Sequence, residues 1–119
     1  MITKLENNVW NEFNVDGSTK ECLDDVLEIL KCDSKLGQLS SIVGYVKGVS
    51  NVVEITCRLG IIIIKDGFTW GYNGTGPKGL ETLLTELGME GRLDVCNLRL
   101  ESKWRLSPNL SLLEQWELR

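Results

Sequence analysis

The chain has 119 residues, enough for one domain that buries a core without disulfides or metals, and its 42% apolar and 25% charged composition is typical of a globular protein. Its net charge of −4 argues against nonspecific nucleic-acid binding, which needs a surplus of Lys and Arg. The chain has no histidine, which excludes Ser-His-Asp and Cys-His chemistry and any metal site that needs imidazole.

The N-terminal residues contain no apolar segment of the signal-peptide type, and the longest apolar run, Ile61 to Ile64, is too short to span a bilayer. We therefore expect a soluble, cytoplasmic protein without membrane association. The four cysteines lie too far apart for a Cys-x-x-Cys motif, and we expect reduced thiols in the core: Cys22, Cys32, Cys57 and Cys96.

The first predicted helix runs from Ser18 to about Cys32. Ser18 and Glu21 have the spacing of a capping box, and apolar residues then recur at helical intervals. The acidic residues on its other side are predicted to form a solvated face, or alternatively a patch for a basic protein partner. Residues 1–17 are expected to be a lead-in or a first strand in which three side chains can pack, those of Trp10, Phe13 and Val15.

The middle of the chain changes to the pattern of strands. We predict a strand at Ile42 to Val46, an alternating strand at residues 53–58, and a strand buried on both faces at Ile61 to Ile64. Asp66-Gly67 is typical of a type I′ hairpin turn, which would return Phe68 to Trp70 beside the isoleucines. The segment thus predicts an antiparallel meander of three or four strands.

The second predicted helix begins near Pro77, with Thr75 or Gly76 as its cap, and ends at Gly88. Beyond it, alternation at residues 98–101 indicates a strand, and three residues have helical spacing: Leu110, Leu113 and Trp116. The whole pattern predicts one α+β domain over residues 1–119, with two amphipathic helices packed on one face of an antiparallel sheet of three to five strands.

Four of the twelve glycines lie between Gly71 and Gly79, directly before the second helix. Free N–H groups at a helix start favour anions, and Lys78 would add charge while two rings could stack on a base. This interpretation predicts a ligand site formed by Trp70, Tyr72, Gly74, Thr75, Gly76 and Lys78. In the alternative interpretation, the glycines only permit tight packing beneath the helix, and both rings belong to the core.

Residues 74–79 also match Gly-x-Gly-x-x-Gly, the dinucleotide-binding pattern. That pattern requires a strand directly before the glycines, within a βαβ unit. Here the isoleucine strand ends about nine residues earlier and an antiparallel meander is predicted. We therefore do not predict a Rossmann site.

The motif Phe68-x-Trp-Gly-Tyr-x-Gly-x-Gly-Pro-x-x-Leu80, followed by a leucine-rich helix that ends at Leu87-Gly88, resembles the signature of an uncharacterised bacterial and phage domain family. The likeness covers residues 68–88, about 20 of 119. Asn73 stands where that family usually has glycine. The resemblance implies bacterial or phage origin, and it brings no activity with it.

Trp104 lies between Lys103 and Arg105, a context that predicts partial exposure, so Trp104 and Arg105 are candidate contacts for a partner. The alternative places Trp104 against its own domain.

Small size, acidity, the lack of histidine and the lack of a transferable catalytic motif favour a non-enzymatic protein without cofactor or metal. We expect it to occupy one protein partner, as immunity proteins and counter-defence inhibitors do. The alternative is a binder of a nucleotide-like anion at Gly74 to Gly79, and no motif supports a third class, the carboxylate-based hydrolases. The sequence leaves open the partner's identity and whether the chain forms a homo-oligomer.

Overall fold

A computed structural model describes residues 1–6, 10–32, 36–108 and 116–118. Within these ranges the elements follow in the order β1 (Ile2–Glu6), β2 (Asn11–Val15), α1 (Thr19–Cys32), β3 (Leu39–Lys47), β4 (Ser50–Cys57), β5 (Gly60–Lys65), α2 (Thr75–Glu86), a short 3₁₀ helix (Val95–Asn97), β6 (Lys103–Leu106) and β7 (Trp116–Leu118).

The strands form one mixed sheet in the order β1-β2-β5-β4-β3-β6-β7. Strands β2 and β5 run parallel, with Asn11 opposite Gly60 and Val15 opposite Ile64, while the other neighbours are antiparallel. The predicted α+β class is confirmed. The prediction of a purely antiparallel sheet of three to five strands is wrong, because β1 and β2 join the meander through the parallel pairing of β2 with β5. No local sequence pattern indicates that pairing.

Both helices pack on the same side of this sheet. Buried residues of α1, such as Val26, and of α2, such as Leu83, share one hydrophobic cluster with the inward residues of the strands, such as Ile62. The other side is here called the open face, and no described element covers it. Ile61 and Ile63 point to the open face and are only half-buried, so the prediction that this strand is buried on both faces is wrong.

The predicted helices are present, with small differences in their bounds. The capping box of α1 is formed: the Ser18 N–H donates to Glu21 Oε1 at 3.0 Å, and the Glu21 N–H donates to Ser18 Oγ at 3.2 Å. Helix α2 begins at Thr75 with Gly74 as its N-cap, earlier than the predicted cap at Thr75 or Gly76. Gly88 follows α2 with a φ of +77°, as expected for a glycine that ends a helix.

The predicted hairpin return at Phe68 to Trp70 is wrong. Asp66 has the left-handed φ of +61°, yet residues 68–70 form no strand, because the neighbouring place beside β5 is occupied by β2. The chain instead crosses against α1: a Cβ at Gly67 would overlap the Cys22 side chain, and the Thr19 hydroxyl donates to the Gly67 carbonyl at 2.8 Å. This path carries the side chains of residues 68 and 70 into the core.

Other differences lie at the two ends of the chain. Residues 1–17 contain two strands, and Phe13 and Val15 of β2 are buried, while Trp10, just before β2, is 36% exposed. The strand predicted at residues 98–101 is wrong, since the pairing with β3 is made by β6 at residues 103–106. Of the residues predicted to be helical, Leu110 and Leu113 lie outside the described residues, and Trp116 belongs to β7.

A pair of tryptophans joins the sheet to the segment before α2. Trp104 on β6 stands opposite Gly44 on β3, and both Trp104 and Trp70 are fully buried. Their rings meet edge to face, with centroids 5.5 Å apart and an interplanar angle of 83°. A Cβ at Gly44 would overlap the indole of Trp104, so the missing side chain at Gly44 makes the space that this ring fills.

We predict that Gly44→Ala destabilises the protein by about 3 kcal/mol, because the added methyl group must displace a buried indole. The matched control is Gly48→Ala in the β3–β4 turn. There a Cβ meets nothing within 4 Å, and only the positive φ of +64° costs about 1 kcal/mol. Equilibrium urea unfolding measures both, and equal losses would contradict the proposed packing.

Candidate functional site

The glycine-rich segment before α2 lies tightly against its neighbours. Gly71 has a φ of +87°, and its N–H donates to the Val95 carbonyl at 2.9 Å. A Cβ at this position would lie 2.9 Å from the Leu98 carbonyl oxygen. Gly71 therefore allows the segment to pack on the chain that leads to β6.

Two glycines inside α2 also serve packing. A Cβ at Gly76 would overlap the Thr69 hydroxyl, and one at Gly79 would overlap the γ-methyl group of Thr19 on α1. These contacts bring α2 close to the preceding segment and to α1. The glycines of this segment thus have structural reasons that require no ligand.

The residues predicted to bind an anion here are only partly brought together. Tyr72 is 47% exposed, with its hydroxyl 2.8 Å from Thr69 Oγ1, and the side chains of Thr75 and Lys78 are exposed. Trp70 is fully buried, so it offers no ring to a ligand, and Gly76 is buried as well. Gly74 caps α2 without a side-chain hydrogen bond, and Pro77 in the first turn has no N–H to donate.

The expected exposure of Trp104 is wrong, since the side chain is fully buried, whereas Arg105 is exposed. The charges on either side of Trp104 are the outward positions of β6, where Lys103 and Arg105 alternate with the buried Trp104 and Leu106. The sequence Lys-Trp-Arg-Leu already has this period of two, which was the signal for a strand with Trp104 inside.

The open face contains a cavity that sequence reasoning missed. Its volume is about 480 Å³, within the usual range of small-molecule sites. It lies where β3 and β5 end and β4 begins, and it is called the open-face pocket below. Its lining comes from five strands and the residues beside them: Thr3, Asn14, Val15, Asp16, Tyr45, Lys47, Ser50, Val52, Glu54, Ile63 and Lys65.

Tyr45 and Glu54 form the central polar pair of the open-face pocket. The Tyr45 hydroxyl donates to Glu54 Oε2 at 2.5 Å. Because this hydrogen bond stabilises the protonated phenol, it raises the pKa of Tyr45 to about 12, with smaller contributions from desolvation and from the negative charge of Glu54. At neutral pH Tyr45 is therefore a neutral hydrogen-bond donor that is already occupied.

The charges around the open-face pocket are unequally paired. Glu54 accepts the bond from Tyr45, and Asp16 Oδ1 lies 3.9 Å from the amino group of Met1. Lys47 and Lys65 line the same pocket, and neither forms an ion pair with any described residue. The two lysines are thus without a carboxylate partner among the described residues, whereas Asp16 lies beside an amino group and Glu54 accepts from a neutral hydroxyl and keeps its negative charge.

Cys96 and Glu81 form a polar pair beside α2. The Cys96 thiol donates to Glu81 Oε1 at 3.3 Å, and this bond raises the pKa of Cys96. Within the described ranges, no three acidic or thiol side chains are arranged to hold a metal ion. Cys22, Cys57 and Cys96 are free thiols.

Comparison with known proteins found no matching family model, no similar curated protein and no similar solved structure. The resemblance of residues 68–88 to a bacterial and phage family therefore stays a prediction. Neither helix in the described part of the chain is long and apolar enough to cross a membrane.

We predict that Gly79→Ala destabilises the protein, although the same change in an unobstructed helix interior stabilises by about 1 kcal/mol. The reason is the overlap with the γ-methyl group of Thr19. Thr19→Ser removes that methyl group and keeps the hydroxyl that donates to Gly67. In the Thr19→Ser background, urea unfolding should show that Gly79→Ala lowers the unfolding free energy by less, or raises it. If Gly79→Ala raises the unfolding free energy of the unmodified protein, the contact between Gly79 and Thr19 is not tight.

We predict that Tyr45→Phe lowers the unfolding free energy by about 1 kcal/mol at neutral pH, the usual worth of one hydrogen bond. The folded-state pKa of about 12 exceeds the ordinary value of 10, so this stability is complete below pH 10 and is lost as the pH rises to 12. Unfolding measured between pH 8 and about 12 should show this alkaline loss of stability in the unmodified protein and not in Tyr45→Phe. The control is Tyr72→Phe, which loses an exposed bond to Thr69 and should show the same alkaline loss as the unmodified protein.

Proposed function

We propose that the protein is a small non-enzymatic binding protein of bacterial or phage origin, which acts by occupying one protein partner as inhibitors and immunity or counter-defence proteins do. The observation that carries this proposal is the open face. Both helices cover one side of the sheet, and no described element covers the other.

The docking surface that we propose is the half of the open face around β3 and β6. Val43 and Ile61 are half-buried there, and Thr56 lies between them on β4. Arg105, which faces Val43 across the strand pair, and Lys103 are exposed. Partly exposed apolar residues beside basic side chains are a composition that protein interfaces use, with Arg as a frequent anchor.

The charges of this surface suggest an acidic partner. At the β6 side of this surface the outward charges, Lys103 and Arg105, are both basic, although the chain has a net charge of −4. The acidic residues concentrate instead on α1, at Glu21, Asp24, Asp25 and Glu28. Charge complementarity therefore favours a partner that presents carboxylates to the open face, rather than the basic partner that the acidic helix suggests.

The ionisable groups with resolved shifts support a non-enzymatic role. Burial raises the pKa of the Cys22 and Cys57 thiols, and hydrogen bonds to carboxylates raise those of Cys96 and Tyr45. Each of these shifts moves the group away from neutral pH, where a general base or nucleophile must be poised to act.

The alternative, capture of a nucleotide-like anion at Gly74 to Gly79, has weaker support. Tyr72, Thr75 and Lys78 are exposed there. The burial of Trp70 and the missing N–H of Pro77 remove one stacking ring and one donor from that arrangement.

The test is capture of a partner from a lysate of the organism that encodes the protein. We predict that Lys103→Glu with Arg105→Glu abolishes capture, because it reverses two exposed charges of the docking surface. The matched control, Lys20→Glu with Lys31→Glu, makes the same change on α1 and should capture the partner as the unmodified protein does. Equal capture by both variants would refute docking on this face, and capture of nothing at any salt concentration would refute the function.

A further inference from the structure

We propose that the open-face pocket is a binding site for a small organic anion, in which a carboxylate or phosphate is attached to a flat apolar body. This site is separate from the β3–β6 docking surface and does not require a protein partner. It also differs from the glycine-rich segment, because none of its lining residues belongs to that segment.

The floor of the pocket is apolar and can hold the flat apolar body of the proposed ligand. Val52 and Ile63 lie on neighbouring strands and point to the open face. Val52 is only 5% exposed although neither of the described helices covers this side, because the side chains around it form the walls. Tyr45 stands directly opposite Val52 and adds an aromatic wall. A flat apolar group can therefore lie on this floor with contacts on several sides.

Two lysines, Lys47 and Lys65, can bind the carboxylate or phosphate of the proposed ligand. Lys47 stands opposite Ser50 across the β3–β4 pair, and Lys65 stands opposite Val52 across the β4–β5 pair. Strand spacing then separates their Cα atoms by roughly 12 Å, within the combined reach of two extended lysine side chains. Both ammonium groups can converge on one anionic group above β4. Glu54 lies opposite Val43 and Ile63, further from the β3–β4 turn than either lysine, and Asp16 lies 3.9 Å from the amino group of Met1.

The polar groups of the pocket restrict what else can bind. The Tyr45 hydroxyl is held by Glu54, and the Asn14 amide donates to Glu12 Oε2 at 2.9 Å. Ser50 lines the same end as Lys47 and supplies a hydroxyl that can donate to an anion. A cationic ligand with its charge above the start of β4 would lie beside Lys47 and Lys65, which form no ion pair with any described residue, so this end of the pocket favours an anion.

The test uses phenyl phosphate as the probe, with benzyl alcohol as its neutral and benzylamine as its cationic counterpart. Titration of the ¹⁵N-labelled full chain, followed by amide NMR shifts, should show saturable shifts for phenyl phosphate near Ser50, Val52 and Lys65. Benzyl alcohol should bind at least tenfold more weakly, and benzylamine should not bind. Raising the salt concentration should weaken phenyl phosphate binding, a readout that needs no variant.

Lys47→Met with Lys65→Met keeps the apolar stems and removes both charges, and we predict at least a tenfold loss of phenyl phosphate affinity. The matched control is Lys103→Met with Arg105→Met, which removes the same charge from the same face outside the pocket and should keep the affinity. Equal losses in both variants, equal binding of the neutral probe, or shifts confined to the start of α2 would each overturn the proposal.

Discussion

The fold depends on the place that Gly44 leaves for the indole of Trp104. Side chains that stand opposite each other on one face of a sheet share the space between their strands. Because Gly44 has no side chain, the indole of Trp104 can fill that space. Trp104 then meets Trp70 edge to face, which ties the β6 side of the sheet to the chain that leaves β5. Neither indole N–H has a hydrogen-bond partner among the described residues, a cost of about 1–3 kcal/mol each that the burial of two large rings must offset.

The path of the chain after β5 decides which face of the sheet remains available. Strand β2 occupies the place beside β5 where a returning strand would pair, so the segment with Trp70 passes to the helical side, and α2 begins beside α1. Both helices then share one layer. The outward side chains of five strands are left to line the open-face pocket, where two lysines and two acidic residues lie at different positions.

The sequence predicts the parts of this fold that depend on neighbouring residues. The capping box at Ser18, the leucine periodicity of α2 and the alternation within β4 are each patterns that can be read within one element. The parallel β2–β5 pairing and the place of Trp104 opposite Gly44 depend on partners far along the chain, which periodicity cannot reveal. The pocket was missed for the same reason: each lining residue is an ordinary outward position of its own strand, and only strand order places Lys47 near Lys65.

The parallel pairing of β2 with β5 also has a consequence for how the chain is made. Strand β2 emerges from the ribosome early, but its partner β5 is complete only after residue 64 has been synthesised. Until then, β1 and β2 have no strand of the central sheet to pair with. Until β1 and β2 dock, β5 presents an unpaired edge with four consecutive isoleucines, the kind of segment that recruits other chains. Strands β1 and β2 thus cover the edge of the isoleucine-rich strand, and a chain without them would leave that edge open to pairing with other chains.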